Sequence, residues 1–92
     1  IYAAVSRQTT SGTPDDGWCP EQRIDVHDAL KALTIDGAYL AFEENEKGSI
    51  EIGKMADFVS LSENPYEMEP TALKDLAVEM TIIDGELVYQ TT

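Results

Sequence analysis

Residues 48–61 read Gly48-Ser49-Ile50-Glu51-Ile52-Gly53-Lys54-Met55-Ala56-Asp57-Phe58-Val59-Ser60-Leu61. Two glycines five positions apart punctuate this segment, and apolar residues alternate with polar ones after them, which is typical of a half-buried strand. Glycine accepts positive φ without a Cβ clash, so we expect Gly48 and Gly53 at turns that aim the strand. Asp57 precedes the apolar run and is suited to accept hydrogen bonds from nearby backbone N–H groups.

The same segment also contains the spacing G-x-x-x-x-G-K, with which phosphate-binding loops begin. Such a loop needs Ser or Thr after the lysine and a helix behind it. Here Met55 follows the lysine, and the pattern continues as a strand. Glu51 would also bring negative charge into the phosphate cradle. We therefore predict a turn followed by a strand and no nucleotide site.

The residues before this segment predict a loop and two short helices. Residues 8–17 are polar and rich in turn formers, which indicates an exposed loop. Asp25 is a good N-cap for a helix that follows it. That helix is expected to break over residues 34–37, and a second one is expected over residues 38–43. We expect Asn45 or Gly48 to end the second helix.

The residues after it predict more strands. Residues 70–76 suggest one helical turn, and residues 77–83 alternate as a strand. Asp84-Gly85 between apolar runs is typical of a type I′ hairpin turn, which needs positive φ at both positions. The return strand is expected over residues 87–89. The predicted fold class is α+β, with two short helices followed by a small, mostly antiparallel β-sheet.

Composition excludes several classes of partner. The net charge is −12, from 18 acidic and 6 basic residues. Such a surface repels nucleic acid and anionic membranes, because affinity for both depends largely on Lys and Arg. The single Cys19 excludes an internal disulfide and fits a reducing compartment, so we expect a cytoplasmic protein. The chain starts without a methionine in mid-pattern, and we expect these 92 residues to be part of a longer protein, called the parent below.

Residues for catalysis or metal binding are scarce. The only histidine, His27, is flanked by Asp25 and Asp28, and a single imidazole without converging partners is not a metal site. The adjacent acid pairs at residues 15–16 and 43–44 do not face each other, so general acid–base work by either pair is not expected. The sequence predicts no catalytic residue and no metal ligand.

Three motifs together resemble metal-dependent amidohydrolases. The first is G-S-I-E-x-G-K-x-A-D-x-V-x-L over residues 48–61. The second is Gly17-Trp18-Cys19-Pro20-Glu21-Gln22-Arg23-Ile24, and the third is Met80-Thr81-Ile82-Ile83-Asp84-Gly85-Glu86-Leu87-Val88-Tyr89. They are similar to the family 3 type of amidohydrolase, the branch with N-substituted formamide deformylases and exoenzyme regulatory proteins. The resemblance covers nearly all of the chain.

This resemblance implies a supporting role within a larger enzyme. Residues 1–47 would end the region derived from a TIM-like catalytic barrel, and residues 48–92 would supply strands to a composite β-sandwich beside it. A divalent metal, with zinc expected, would lie in the parent, where it activates water against an amide-like carbonyl. The remainder of the parent chain would be the partner of this segment, which is expected to be inactive alone. Strand edges exposed in the isolated segment would favour self-association.

Only two residues are candidates for the substrate side, Arg7 and Trp18, because residues 1–24 would run beside the catalytic face. The alternative for Trp18 is burial against the helix, and the alternative for Arg7 is an ordinary surface cation. A different reading of the whole chain also stays open, that of an autonomous acidic interaction or regulatory module without enzymatic activity.

Overall fold

The structure is a computed structural model, and it describes residues 1–91. Short α-helices come first, and strands follow, which confirms the predicted α+β class. The helices are α1 (Tyr2–Ser6), α2 (Val26–Leu33) and α3 (Ile35–Leu40). The strands are β1 (Phe58–Leu61), β2 (Val78–Ile83) and β3 (Glu86–Gln90). Short 3₁₀ segments cover Pro20–Gln22, Pro65–Glu67 and Pro70–Asp75. No helix in residues 1–91 has the length and apolarity needed to cross a membrane.

The chain divides into two compact units, each assembled from two separate stretches of sequence. Unit 1 consists of Ile1–Leu30 and Glu63–Leu76. Unit 2 consists of residues 31–62 and 77–91 within the described part of the chain. The predicted boundary between residues 47 and 48 concerns the barrel and sandwich of the parent and stays a prediction.

Unit 1 has a small core under helix α1. The 3₁₀ segment Pro70–Asp75 packs against α1, and Leu73 within it is only 4% exposed. Ser6 and Ala29 are buried as well. The Ser6 hydroxyl donates to the Tyr2 carbonyl oxygen at 2.7 Å and accepts the Gln8 N–H at 3.2 Å. Its polar atom is therefore satisfied, as a buried hydroxyl requires.

Helix α2 starts where the sequence predicts. Asp25 Oδ1 accepts the backbone N–H of Asp28 at 2.8 Å, which confirms the predicted N-cap. The break between the helices is shorter than the expected range of residues 34–37. Thr34 alone leaves helical geometry, with φ −118° and ψ −98°, and α3 begins at the next residue. Gly37 lies inside α3 without breaking it.

Helix α3 ends earlier than expected, and neither Asn45 nor Gly48 stops it. Phe42 has φ +60°, and its N–H donates to the Tyr39 carbonyl at 3.1 Å. The Glu43 N–H donates to the Ala38 carbonyl at 2.8 Å. This pair of bonds is a Schellman motif with phenylalanine at the position that glycine usually takes. A sequence pattern does not reveal this helix end, because the residue that usually marks it is glycine or asparagine.

The two glycines of the 48–61 segment confirm the predicted turns, for different reasons. Gly48 has φ +104°, and a Cβ there would lie 2.8 Å from the Ala38 Cβ and 3.0 Å from the Ile35 Cα. Gly53 has φ +94°, but a Cβ there would meet nothing within 4 Å. Conformation alone requires glycine at position 53, whereas position 48 also lacks space. The strand is shorter than the alternation suggests and begins only at Phe58.

The sheet in unit 2 is antiparallel, in the order β1-β2-β3. Asp84 and Gly85 turn the chain between β2 and β3 with φ +51° and +79°, which confirms the predicted hairpin. Asp57 Oδ1 accepts the Asp84 N–H at 2.8 Å. The acceptor role predicted for Asp57 is therefore correct, but its donor lies in the distant hairpin turn rather than nearby. This bond fixes the start of β1 against the turn.

Large apolar side chains are unusually exposed in unit 2. Phe42 is 92% exposed, Ile50 is 87% exposed, and Ile52 is fully exposed at 107%. Among residues 1–91, β1 and β3 each pair only with β2, so both outer edges of the sheet are open. Exposed apolar area and open edges are typical of surfaces that bind other protein.

Candidate functional site

The two residues nominated from the sequence, Arg7 and Trp18, lie next to each other in unit 1. The Arg7 guanidinium carbon is 5.2 Å from the centre of the Trp18 ring, within cation–π range. Arg7 Nε donates to the Trp18 carbonyl at 2.9 Å, and the Trp18 N–H donates to the Arg7 carbonyl at 2.8 Å. Trp18 is 67% exposed, so it is not buried against the helix.

The backbone around Arg7 explains this arrangement. Helix α1 ends at Ser6, and Arg7 takes a left-handed conformation with φ +58° and ψ +31°. The Arg7 N–H caps the helix by donating to the Ala3 carbonyl at 2.8 Å. A left-handed residue after a helix redirects the chain sharply, and a non-glycine residue there is strained by about 1–2 kcal/mol. The side chain therefore leaves the helix axis on the side where Trp18 lies.

Gly17 brings the two residues together from the other side. It has φ +80°, and a Cβ there would lie 2.7 Å from the Ser6 carbonyl oxygen and 3.2 Å from the Arg7 Cβ. The loop thus passes directly over the end of α1, which only glycine permits. This close approach sets the position of Trp18, the next residue.

Hydrogen bonds hold the intervening loop, residues 8–17, in one shape. The Gln8 Nε2 group donates to the carbonyls of Pro14 at 3.1 Å and Asp15 at 2.9 Å. The hydroxyls of Thr9 and Thr13 lie 3.0 Å apart and both bond the hydroxyl of Ser11. An exposed polar loop with this many internal bonds has a defined surface.

Arg7, Trp18 and this loop line a cavity of about 250 Å³ that is wide open to solvent. The residues that line it are Ala3, Arg7, Gln8, Thr9, Thr13, Pro14 and Trp18. The loop residues among them were predicted only as exposed loop. A polar loop without periodicity carries no signal for a cavity, because the walls depend on hydrogen bonds to its own backbone.

The charge on Arg7 is not neutralised within the described residues. The lysines of unit 2 each contact a carboxylate, in the pairs Lys31–Asp36, Lys47–Glu43 and Lys54–Glu51. By contrast, the basic residues of unit 1, Arg7, Arg23 and Lys74, donate to the carbonyls of Trp18, Asp16 and Thr10. A carbonyl satisfies a donor but leaves the positive charge in place. Arg7 is the one charged residue among those that line the cavity.

The polar side chains of the Gly48–Lys54 loop bond one another. Lys54 Nζ lies 3.0 Å from Glu51 Oε2 and donates to the Ser49 hydroxyl at 2.7 Å. The Ser49 hydroxyl in turn donates to Glu51. This hydrogen bond, followed by the bond and charge of Lys54, lowers the pKa of Glu51 below its ordinary value of 4.5. The lysine that would bind phosphate is engaged by a carboxylate.

A second ion pair lies nearby in unit 2. Lys47 donates to Glu43, and this hydrogen bond, together with the charge of Glu43, raises the pKa of Lys47 above its ordinary value of 10.5. Both side chains are well exposed to solvent. The pair thus adds little to stability, as is usual for surface ion pairs.

No metal site forms in residues 1–91, since no three His, Cys, Asp or Glu side chains converge there. His27 is exposed, and its Nδ1 lies 3.0 Å from the Tyr66 hydroxyl oxygen. Its neighbours Asp25 and Asp28 do not converge on it to form a ligand set.

Three comparisons with known proteins relate this chain to amidohydrolases. The model of the amidohydrolase family matches residues 1–89. An N-substituted formamide deformylase from Arthrobacter pascens is 34% identical over 92 residues, which are 100% of this chain and 16% of that protein. An imidazolonepropionase from Bacteroides thetaiotaomicron is 35% identical over 69 residues, 75% of this chain and 16% of that enzyme.

A solved structure agrees with the sequence comparison. The crystal structure of an amidohydrolase from Thermotoga maritima superposes with a TM-score of 0.63 at 33% identity. The superposed region covers 78% of this chain and 17% of that protein. The chain therefore spans about one sixth of the length of these relatives.

Proposed function

This chain belongs to the amidohydrolase family, and we propose that it is the C-terminal structural segment of a metal-dependent hydrolase. The parent would act on carbon–nitrogen bonds other than peptide bonds. The observation that carries this proposal is the family match over residues 1–89, together with a chain that spans about a sixth of its relatives. The catalytic groups would lie in the remainder of the parent.

The relative from Arthrobacter pascens suggests the substrate class. It is an N-substituted formamide deformylase that matches this chain along its whole length. We therefore propose N-substituted amides of small acids as substrates of the parent. A divalent metal, with zinc expected, would supply Lewis-acid chemistry to it. The donors in residues 1–91 do not fit such an ion, so no step is assigned to it in this segment.

The exposed surfaces of unit 2 support a structural role. Phe42, Ile50 and Ile52 are almost fully exposed, although burying such side chains contributes about 1.5–3 kcal/mol each. We propose that the remainder of the parent, its barrel and N-terminal strands, covers this surface and completes a β-sandwich with β1–β3. Residues 1–47 would then close the barrel-derived region, and residues 48–92 would belong to the sandwich.

The open sheet edges lead to a proposal for the isolated segment. Strand edges with unpaired N–H and C=O groups are templates for another strand. We expect the 92 residues alone to self-associate through β1 or β3. Light scattering over a concentration series measures this directly, and a monomer mass at high concentration would contradict it.

The decisive experiment uses the whole open reading frame. The intact protein should contain a divalent metal and should release amine from an N-substituted formamide, whereas the 92 residues alone should do neither. Metal content and amine release are both measured on the two purified proteins. Hydrolysis by the 92 residues alone, or an inactive and metal-free intact protein, would refute the proposal. A reading frame without upstream coding sequence would favour the acidic interaction module.

A further inference from the structure

We propose that the Arg7–Trp18 cavity binds the carboxylate of a small ligand with a flat, apolar body. Arg7 would bind the carboxylate, and Trp18 with Pro14 would contact the body. One part of this inference rests on the proposed function: that the ligand is a portion of the substrate or product of the parent. Binding itself requires only the residues that line the cavity.

The state of the guanidinium is the first argument. Arg7 Nε is used by the Trp18 carbonyl, and among residues 1–91 the terminal N–H groups of Arg7 have no partner. Those groups form a planar fork that matches the two oxygens of a carboxylate. The indole beside the guanidinium restricts its orientation, so less freedom is lost when a carboxylate binds.

The shape and lining of the cavity are the second argument. Its volume of about 250 Å³ lies just below the roughly 300–1,000 Å³ that is usual for ligand pockets, which indicates a small ligand. The exposed lining is mostly apolar, and Trp18, Pro14 and Ala3 are among the residues that form it. The hydroxyls of Thr9 and Thr13 already bond each other, so the guanidinium is the polar group that orients a ligand.

The surrounding charge distinguishes between classes of anion. Acidic residues outnumber basic ones in unit 1, as in the whole chain. A phosphate group carries up to two charges and normally needs several converging donors. A single arginine in acidic surroundings therefore favours a monovalent carboxylate over a phosphate.

Pre-organisation is the third argument. The reciprocal bonds between Arg7 and Trp18, the close approach of Gly17 and the two bonds from Gln8 hold the cavity in shape without a ligand. These contacts keep a large aromatic ring 67% exposed beside an arginine. A loop held in this way loses little entropy on binding, which raises affinity.

The test compares benzoate with benzamide, its neutral analogue, in calorimetric titrations of the intact protein. We expect benzoate to bind about tenfold more tightly or better, because a charge-assisted hydrogen bond replaces a neutral one. Acetate, which lacks the apolar body, should bind more weakly than benzoate. Equal affinity for benzoate and benzamide, or no benzoate binding, would overturn the inference without the need for any variant.

Variants then locate the site. Arg7→Gln should weaken benzoate binding about tenfold and leave benzamide binding unchanged, and Trp18→Leu should weaken both. Lys31→Gln is the matched control, since it also removes one positive charge but Lys31 contacts Asp36 and neither lines the cavity nor bonds the 8–17 loop. It should leave both affinities unchanged. If Lys31→Gln weakens benzoate binding as much as Arg7→Gln does, the site is not at Arg7.

The outcome can be separated from that of the proposed function. Amide hydrolysis without benzoate binding would overturn this inference and leave the hydrolase assignment intact. Benzoate binding at Arg7 in a protein that hydrolyses no amide would support the cavity as a binding site and contradict the hydrolase assignment.

Discussion

Replacing Gly48 with alanine tests how the 48–61 segment is fixed. Gly48 has φ +104°, where an L-residue is strained by about 1–2 kcal/mol. The new Cβ would also lie 2.8 Å from the Ala38 Cβ, so helix α3 or the turn must shift. Overpacking of this kind costs about 1–3 kcal/mol. Alanine also lowers the conformational entropy of the unfolded chain, but this benefit is only about 0.4–1 kcal/mol and is smaller than the strain and the clash.

We therefore expect Gly48→Ala to lower the free energy of unfolding by about 2–4 kcal/mol. Gly53→Ala is the matched control, because φ is +94° there but the Cβ would meet nothing within 4 Å. It carries the strain without the clash, and its cost should be about 1 kcal/mol. The difference between the two variants isolates the contact with α3.

Urea unfolding followed by circular dichroism measures both changes. Hydrogen exchange of the Met55 amide adds a local measurement, since this N–H donates to the Glu46 carbonyl at 2.7 Å within the same turn region. Exchange should accelerate much more in Gly48→Ala than in Gly53→Ala. Equal losses in the two variants would refute the argument that space, rather than backbone conformation alone, requires glycine at position 48.

Three further predictions concern other local features. Asp25→Ala should lower the free energy of unfolding in urea by about 1 kcal/mol because the cap of α2 is lost, whereas Asp25→Asn should keep most of that stability. Equal losses in the two variants would show that the cap hydrogen bond does not stabilise α2. In the isolated 92 residues, where Phe42 is exposed, Phe42→Gly should stabilise the fold by up to about 1 kcal/mol because it relieves the positive φ, and a lower unfolding midpoint would contradict this. Because Ser49 and then Lys54 lower the pKa of Glu51, the stabilisation from Glu51 should be complete above pH 4.5 and should disappear as the pH falls through the lowered pKa. NMR titration of the Glu51 carboxyl carbon measures this pKa, and a value at or above 4.5 would contradict the hydrogen bonds.

Local chemistry was predictable where one residue type decides the conformation. The Asp84-Gly85 turn, the Asp25 cap and the glycine turns at positions 48 and 53 all follow from steric or hydrogen-bonding properties of single residues. The resemblance to amidohydrolases was predictable too, because its three motifs are spread along the chain, and the family model matches residues 1–89.

Features that depend on distant partners were not predictable. The donor to Asp57, for example, comes from the hairpin turn. The end of α3 at Phe42 is local, but it was not predictable either, because glycine is the usual residue there. The nomination of Arg7 and Trp18 came from their expected place beside a catalytic face. Their mutual contact depends on Gly17 and on the left-handed backbone at Arg7, which a sequence pattern does not reveal.

The discontinuous composition of the two units limits how the chain can be cut. The polypeptide changes unit after Leu30, after Ser62 and after Leu76. A single proteolytic cut cannot release either unit whole. Deletion from one terminus removes one of the two stretches of a unit and leaves its other stretch without it. Truncation between residues 31 and 75 therefore removes residues from both units, whichever terminus is shortened.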